Sequence, residues 1–366
     1  MNYKLLTPGP LTTSETVKKA MMVDHCTWDN DYKVITQKIR KDLLELANAS
    51  EENYTVVLMQ GSGTFGVESV ITSSVGKEDK LLICENGAYG KRMKDITEHA
   101  GINSVVYSEP FNMIPDAAKI DEILKNDPEI THVSMVHSET TSGILNDIES
   151  VAKVVKGHGK TFIVDAMSSF GGVVIDMDKL GADFMISSSN KCIQGVPGFS
   201  FIIARKDALK ACEGKARSLS LDLYDQFKTM NIDGKWRFTS PTHVVLAFAQ
   251  AIEELKAEGG IQKRYERYLN NNRTLIAKME ELGIKTYIDI DHQSPIITTY
   301  LYPEIHNYSF EEMYEYIKER GYAIYPGKVT EADTFRIGNI GEIYEEDMIK
   351  LAEIIKEFME VKANEQ

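Results

Sequence analysis

The sequence has few of the features that mark membrane, secreted, metal-binding or nucleic-acid-binding proteins. Its four cysteines stand singly without C-x-x-C spacing, which argues against a disulfide framework or a zinc site. No apolar run approaches the roughly 18 residues of a membrane span, and the N-terminus has no signal-peptide core. Because 55 acidic residues outnumber 41 basic ones, the net charge of -14 argues against nucleic acid or an anionic membrane as main partner. These absences predict a cytoplasmic protein with reduced thiols and no metal.

What is present is ordinary globular material arranged in a regular alternation. With 43% hydrophobic residues the chain can bury a large core. Between residues 55 and 205 short apolar runs alternate with helical patterns, which predicts an α/β fold with a mainly parallel seven-stranded sheet covered by helices on both faces. Gly198 and the short gap between the run 184–186 and Phe199 leave no room for a crossover helix, so the last strand is predicted to be antiparallel to its neighbour. The seven predicted strands are 55–59, 80–84, 104–107, 132–136, 161–166, 184–186 and 199–204.

The pattern changes after Gly259-Gly260, where strands become grouped with flanking helices. This change predicts a small C-terminal α+β domain. We therefore expect a large domain over residues 21–260, a small domain over 261–366, and an N-terminal segment, 1–20, that joins the small domain. The first forty residues show no strand–helix unit.

Lys191 follows the apolar run 184–186 and is surrounded by small polar residues and glycines, which is unusual for a solvated lysine. Asp165 ends the neighbouring buried run. A lysine that forms a Schiff base and an aspartate that keeps a pyridine nitrogen protonated are what pyridoxal phosphate (PLP) requires. Each residue alone has a simpler explanation, a solvated charge or a turn cap. The pair at adjacent strand ends favours the cofactor.

The segment 61–66 matches the dinucleotide fingerprint G-x-G-x-x-G, and Glu85 closes the next strand as that motif requires. In this motif the backbone amides at a helix N-terminus bind a phosphate. The motif does not specify which molecule carries that phosphate. A plain glycine turn is the alternative. A nicotinamide enzyme would leave Asp165 and Lys191 without a role, and the hydroxyls of Ser62 and Thr64 suit a compact phosphate monoester.

Two further residues have patterns that fit a ligand. Arg336 lies within a strand between Phe335 and Ile337, where its planar guanidinium could bind a carboxylate or phosphonate through two hydrogen bonds, although a salt bridge at a strand edge is the alternative. Tyr89 comes just after a strand end, where its ring could stack on a flat cofactor or simply pack.

These motifs together resemble the class V branch of the fold-type I PLP aminotransferases, and within it the enzymes that act on 2-aminoethylphosphonate and pyruvate. The resemblance covers nearly the whole chain. It is carried by the segments Leu5–Ser14, Trp28–Tyr32, Gln60–Thr64, Asn86–Arg92, His137–Ile144, Val164–Ser169, Asn190–Gly198 and Phe335–Gly338.

The resemblance implies a role for each matching residue. It implies Lys191 as the Schiff-base lysine, Asp165 as partner of the pyridine nitrogen, and Arg336 on the acidic group of the substrate. The remaining cofactor-binding residues that it implies are Ser62, Gly63 and Thr64 at the phosphate, Tyr89 against the ring, Thr140 near the ring oxygen, Asn190 beside the lysine, and Thr239, with Thr242 as the fallback, at the phosphate of the other subunit.

The activity that the resemblance implies is a PLP-dependent transfer of the amino group of 2-aminoethylphosphonate to pyruvate by a homodimer with shared sites. Alanine– or serine–glyoxylate or –pyruvate transamination on the same scaffold is the nearest alternative. A cysteine desulfurase or lyase would need a sulfur-accepting cysteine in a small-domain loop. A PLP-sensing regulator would need a DNA-binding extension, for which this acidic chain has no spare segment.

Overall fold

The computed structural model describes residues 3–364 and has the α/β architecture that the alternation predicts. The bounds of the seven main-sheet strands agree with the predicted strand ranges to within two residues, because the apolar runs are strong here. The strands are β1 Lys4–Leu5, β2 Tyr54–Gln60, β3 Leu81–Glu85, β4 Ser104–Ser108, β5 His132–Val136, β6 Ser138–Glu139, β7 Ile144–Leu145, β8 Thr161–Asp165, β9 Phe184–Ser188, β10 Phe199–Arg205, β11 Ile297–Leu301, β12 Tyr322–Ala323, β13 Tyr325–Pro326 and β14 Thr334–Gly338.

The helices surround this framework, and a short 3-10 helix covers Ile290–His292. They are α1 Glu15–Ala20, α2 Asn30–Leu46, α3 Gly63–Ser74, α4 Ala88–Ala100, α5 Ala117–Asn126, α6 Ile148–Gly157, α7 Met177–Leu180, α8 Lys206–Lys210, α9 Leu223–Asp233, α10 Thr242–Glu258, α11 Gly260–Glu281, α12 Phe310–Glu319 and α13 Glu345–Asn364.

The main sheet of the described chain has the strand order β2-β10-β9-β8-β5-β3-β4. Strand β10 is antiparallel to both of its neighbours, as predicted, and the other pairings are parallel. Because β2 is antiparallel to β10, it runs in the same direction as β9. The carboxyl ends of β2, β3, β5, β8 and β9 therefore meet at one edge of the sheet, which is where open α/β sheets bind ligands.

Helices bury both faces of this sheet, which explains why its strands are apolar without interruption. In β2, Val56 and Leu58 pack with α2, α5, α6 and α10, whereas Val57 and Met59 pack with α3 and α4 on the opposite face. Successive side chains of a strand point to opposite faces, so a strand that is covered on both sides has no position for a solvated residue. The prediction of a sheet covered on both faces is confirmed.

A separate three-stranded antiparallel sheet, β11-β14-β13, has its own apolar core with α11, α12 and α13. The N-terminal strand β1 pairs with β12 beside this core, and the backbone amide of Gly338 donates to Leu6 O at 2.9 Å. The proposed domain boundaries at 20 and 260 stay a prediction.

The N-terminal region contains more regular structure than its sequence pattern indicated. Helices α1 and α2 pack against α10 and β2, and α2 begins at Asn30 without a side-chain cap hydrogen bond. The sequence pattern did not predict helix α9 either. It buries Leu223, Gln226 and Met230, and its burial depends on contacts with β2 and α3. In the described part of the chain, no helix is both long and apolar enough to span a membrane.

Candidate active site

A cavity of about 190 Å³ opens at the carboxyl edge of the main sheet. It brings together side chains that are far apart in the sequence, because the ends of β2, β8 and β9 meet there. Seven of the predicted residues contribute to its wall together with seven others. The lining residues are Ser62, Gly63, Thr64, Val67, Tyr89, Arg92, Val136, Ser138, Asp165, Met167, Ser168, Ser188, Asn190 and Lys191, of which Asn190 and Lys191 form the loop after β9.

Lys191 is half-buried, and its Nζ donates a 2.8 Å hydrogen bond to the carbonyl oxygen of Pro8. Burial lowers the pKa of this amine to about 8, and the positive charges of Arg336 and Arg92 also lower it. The loop is held from behind: Arg264 donates to Cys192 O at 2.9 Å, and Gln194 adopts a positive φ of 70° while donating to Gly341 O at 2.9 Å. A rigid loop thus presents an amine that is easily deprotonated.

Asp165 closes β8 and is 5% exposed. The backbone amide of Met167 donates to its Oδ1 at 2.9 Å. Burial raises the pKa of this carboxyl to about 6, and the negative charge of Glu139 also raises it, while Lys191 and Arg92 oppose the shift. In the part of the chain that the structure describes, this buried carboxylate accepts one hydrogen bond, from Met167. It is therefore arranged to pair with a cationic group, because an unpaired buried charge is costly.

The glycine-rich turn forms the start of α3 at the wall of the cavity. Ser62 is the N-cap residue, and its side chain makes no capping hydrogen bond. The first amides of a helix have no partner within the helix, so those after Ser62 are available to an anion. A side chain at Gly63 would have to displace Met167. Arg92 donates to Thr64 Oγ1 at 3.1 Å, which adds a positive charge to this anion site.

Helix α4 carries Tyr89 and Arg92 into the cavity, and a buried acid fixes its N-terminus. Glu139 accepts hydrogen bonds from the amides of Tyr89, Gly90 and Thr141, the first at 3.1 Å. A side chain on Gly87 would collide with Glu139. The carboxylate thus satisfies the helix amides and complements the positive end of the helix dipole. The orientation of Tyr89 follows from this contact.

Arg336 lies on β14 with its neighbours Phe335 and Ile337 in the small core, so its own side chain points toward the main sheet. Its Nε donates to Pro326 O at 3.0 Å and its Nη1 to Thr140 O at 2.8 Å. Two main-chain carbonyls therefore hold the guanidinium, and the Nη2 edge keeps donors for a ligand. Thr140 is buried beside it, and its hydroxyl has no hydrogen-bond partner in the described chain.

Thr239 is exposed and does not line this cavity, and the fallback Thr242 is the first residue of α10. The structure thus brings seven of the predicted site residues to the cavity wall; Arg336 and Thr140 contact each other outside that lining, and Thr239 and Thr242 do not line it. It also adds residues that sequence reasoning did not assign. Arg92 has a signal, since it lies one helical turn after Tyr89; Glu139, Met167 and Ser188 have none, because only the folding of distant segments brings them to the cavity.

The residues of the cavity fit PLP. Among the described residues, the buried hydroxyl of Ser188 at the wall and that of Thr140 have no hydrogen-bond partner, which leaves polar groups for a polar ligand. The start of α3 suits a phosphate, Asp165 a ring nitrogen, and Lys191 an aldehyde. Within residues 3–364, no group of three His, Cys, Asp or Glu side chains is arranged to hold a metal ion.

Comparison with known proteins decides the family. Residues 20–337 match the family model described as aminotransferase class-V. This chain belongs to the class V aminotransferases. The match covers most of the chain and includes Lys191, Asp165 and the turn before α3. Class V aminotransferases depend on PLP, and the predicted cofactor and enzyme class are confirmed.

A full-length relative and two solved structures illustrate the similarity. The relative, a 2-aminoethylphosphonate–pyruvate transaminase of Lysinibacillus sphaericus, is 58% identical over 364 residues, covering 100% of this chain and 99% of its own. The pyridoxamine–pyruvate aminotransferase of Mesorhizobium loti superimposes with a TM-score of 0.91 at 22% identity, covering 99% of this chain and 93% of that one. An alanine–glyoxylate aminotransferase from Nostoc sp. also gives 0.91, at 23% identity and coverages of 98% and 95%. The two structures establish the fold, and the prediction of a fold-type I transferase is confirmed.

Proposed function

We propose that this class V aminotransferase moves the amino group of 2-aminoethylphosphonate to pyruvate, giving phosphonoacetaldehyde and L-alanine. The supporting observation is the Lys191–Asp165 pair at the sheet edge of a chain that is 58% identical, end to end, to a transaminase named for these two substrates. The alternative, alanine– or serine–glyoxylate or –pyruvate transamination, is supported by similarity of fold, as to the Nostoc structure at 23% identity.

PLP, when bound, supplies an aldehyde for amines and a ring that withdraws electrons from the substrate carbon. This chain supplies the attachment and the orientation. Lys191 is the amine that would hold the aldehyde, and the start of α3 with Thr64 and Arg92 would hold the phosphate. Asp165, fixed by the Met167 amide, would keep the ring nitrogen protonated.

Lys191 is also the proton carrier of the proposal. A pKa of about 8 leaves a useful fraction of this amine neutral near pH 7, whereas an ordinary lysine would be charged. The neutral Nζ can accept a proton from the substrate carbon that bears nitrogen and donate it later. The 2.8 Å hydrogen bond from Nζ to the carbonyl oxygen of Pro8 holds the amine in a fixed orientation.

Arg336 is the proposed anchor for the acidic end of each substrate. Its Nη2 edge can donate to phosphonate in one half-reaction and to the pyruvate carboxylate in the other. Because Thr140 O and Pro326 O already hold the guanidinium, little side-chain entropy is lost when a substrate binds.

A spectroscopic experiment tests the reaction. The purified PLP-loaded protein should lose its yellow absorbance with 2-aminoethylphosphonate and regain it with pyruvate, and alanine should accumulate in proportion. Alanine and serine as donors with glyoxylate as acceptor are the matched comparison. Faster turnover with that pair would replace the proposal by the alternative, and no absorbance change with any donor would refute transamination.

We further infer a homodimer with shared sites. Three large apolar side chains are exposed: Phe65, which directly follows the phosphate-binding turn, and Phe238, which directly precedes Thr239, are both 50% exposed, and Leu219 is 75% exposed. Phe65 and Phe238 line the same surface cavity, separate from the active site. Such a patch is typical of an obligate interface. Burying it against a second copy would place the exposed Thr239 within an interface, where it could reach the partner's phosphate. Light scattering of the loaded protein would test this, and an active monomer would refute it.

A further inference from the structure

Lys328 lies at the rim of the active-site cavity. It follows β13 by two residues and is half-buried. Its Nζ is 4.5 Å from the centroid of the Tyr89 ring, and the Arg92 Cζ is 4.9 Å from the same centroid. Because Tyr89 and Arg92 line the cavity, Lys328 brings a further positive charge to its entrance.

The segment that carries Lys328 is tied to the proposed substrate anchor. In the β13–β14 register Tyr325 stands opposite Arg336, and the Arg336 Nε donates to Pro326 O at 3.0 Å. The Gly327 amide donates to Thr334 O at 2.9 Å, and a side chain at Gly327 would collide with Thr334. Lys328 therefore follows a backbone held close to β14, and its position relative to Arg336 is fixed by the hairpin.

Within residues 3–364, no carboxylate lies within salt-bridge distance of Lys328. Burial lowers the pKa of this amine, the charges of Arg92 and Arg336 lower it further, and only Glu139 opposes them. The Glu139 carboxylate already accepts hydrogen bonds from Tyr89, Gly90 and Thr141. Lys328, Arg92 and Arg336 thus lie near a single carboxylate, that of Glu139, whose hydrogen bonds are already made. This excess of positive charge is unfavourable until an anion binds.

The excess charge suits a dianion better than a monoanion. Arg92 contacts Thr64 at the proposed cofactor phosphate site, so Arg336 and Lys328 remain for the substrate. One guanidinium is enough for a carboxylate. A phosphonate, like a phosphate ester, carries a charge near -2 above about pH 8 and has three oxygens, so it can engage a second cation.

We propose that Lys328 binds the phosphonate group together with Arg336 and makes the site prefer a phosphonate to a carboxylate. This inference rests on the proposed function, because it names the residue that selects the proposed substrate. In this proposal the Lys328 ammonium contributes a compact positive charge, and the planar guanidinium of Arg336 donates hydrogen bonds in a fixed direction.

Binding of unreactive ligands to the PLP-loaded protein tests the inference without turnover. Ethylphosphonate and propionate differ in the acidic group alone and lack the amine. At about pH 8, Lys328→Gln should weaken ethylphosphonate binding by roughly tenfold to a hundredfold, the usual worth of a hydrogen bond to a charged group, and propionate binding by less than about threefold. Calorimetry measures both constants.

Two further variants separate selectivity from damage. Lys328→Arg keeps the charge and should retain most of the preference for ethylphosphonate. Lys91→Gln removes a neighbouring lysine on α4, one whose Nζ lies 4.9 Å from the Phe111 ring, and should change neither constant. Thermal unfolding of each variant checks that the fold is intact.

The outcomes distinguish this inference from the function on which it rests. If the unmodified protein binds ethylphosphonate no better than propionate, the proposed substrate is wrong. If it prefers ethylphosphonate but Lys328→Gln leaves that preference unchanged, or weakens both ligands equally, Lys328 is not the selecting residue. A selective loss in Lys328→Gln, with retention in Lys328→Arg, supports the inference.

Discussion

The two sides of the cavity are built to bind anions by different physical means. On the side of the main sheet, the start of α3 offers main-chain amides and hydroxyls that are fixed by the fold, next to Lys191 and Asp165. On the side of the small sheet, the hairpin β13–β14 offers the charged groups Arg336 and Lys328. Main-chain amides fixed by the fold, with Arg92 beside them, suit a group that stays bound through every turnover, whereas the long charged side chains of the hairpin suit acids that must enter and leave.

This contrast predicts that changes on the main-sheet side affect the chemical step, and changes on the hairpin side affect substrate affinity. Comparing kcat with KM for single substitutions on each side therefore sharpens or breaks the comparison.

The largest effect is expected for Lys191→Ala, which removes both the attachment point and the proton carrier. Turnover should fall by several orders of magnitude while the protein stays folded, because the amine adds little to the core. Steady-state alanine formation and circular dichroism measure the two properties. Retention of a borohydride-reducible PLP adduct in this variant would show that another amine attaches the cofactor.

Asp165→Asn should keep PLP but slow turnover by about 10²–10³-fold, a loss typical of removing one electrostatic stabiliser from an active site. A neutral amide cannot hold the ring nitrogen protonated as a carboxylate can. The readout is single-turnover loss of cofactor absorbance with 2-aminoethylphosphonate. Asp147→Asn, at the N-cap of α6 outside the cavity lining, is the control. An unchanged rate in Asp165→Asn would mean that a different residue partners the ring.

Arg336→Lys keeps one charge but loses the planar fork, so the KM values of both substrates should rise by roughly tenfold to a hundredfold with a smaller change in kcat. This variant tests the hairpin side directly. Arg320→Lys, on the exposed end of α12, should leave both constants unchanged. Normal kinetics for both substrates in Arg336→Lys would show that Arg336 is structural, held by Thr140 and Pro326 for stability alone.

Thr239→Ala is expected to have the smallest effect, a loss of PLP affinity of a few fold, because one neutral hydrogen bond is worth about 1 kcal/mol. Its value is diagnostic. Mixed dimers of Lys191→Ala and Thr239→Ala chains should contain one site with both defects and one with neither. Equilibrium dialysis of PLP against the mixed dimers, compared with each parent, gives the measurement. Absence of a site with unmodified affinity in demonstrated mixed dimers would refute the shared site.

The success of sequence reasoning differed between parts of the molecule for physical reasons. The strands of the main sheet are covered on both faces, so their apolar runs are continuous and easily bounded, and the direction of β10 followed from the short gap before Phe199. Helices α2 and α9 were missed because their burial comes from neighbours, and α2 lacks a side-chain cap. The candidate site was predicted where a motif adjoins a strand end, as for Lys191 and Asp165.

The sequence by itself determined the architecture, the class of chemistry and half of the residues that line the cavity, because strand periodicity, glycine turns and the lysine–aspartate pair are local patterns. The tertiary structure alone decided the electrostatics. The pKa of Lys191 is about 8 because the amine is buried and because the positive charges of Arg336 and Arg92, from distant segments, lie near it. Glu139 fixes the start of α4, and Lys328 meets Tyr89, only because segments more than forty residues apart fold onto one sheet edge. Charge interactions depend on distance in space, and no local pattern records that distance.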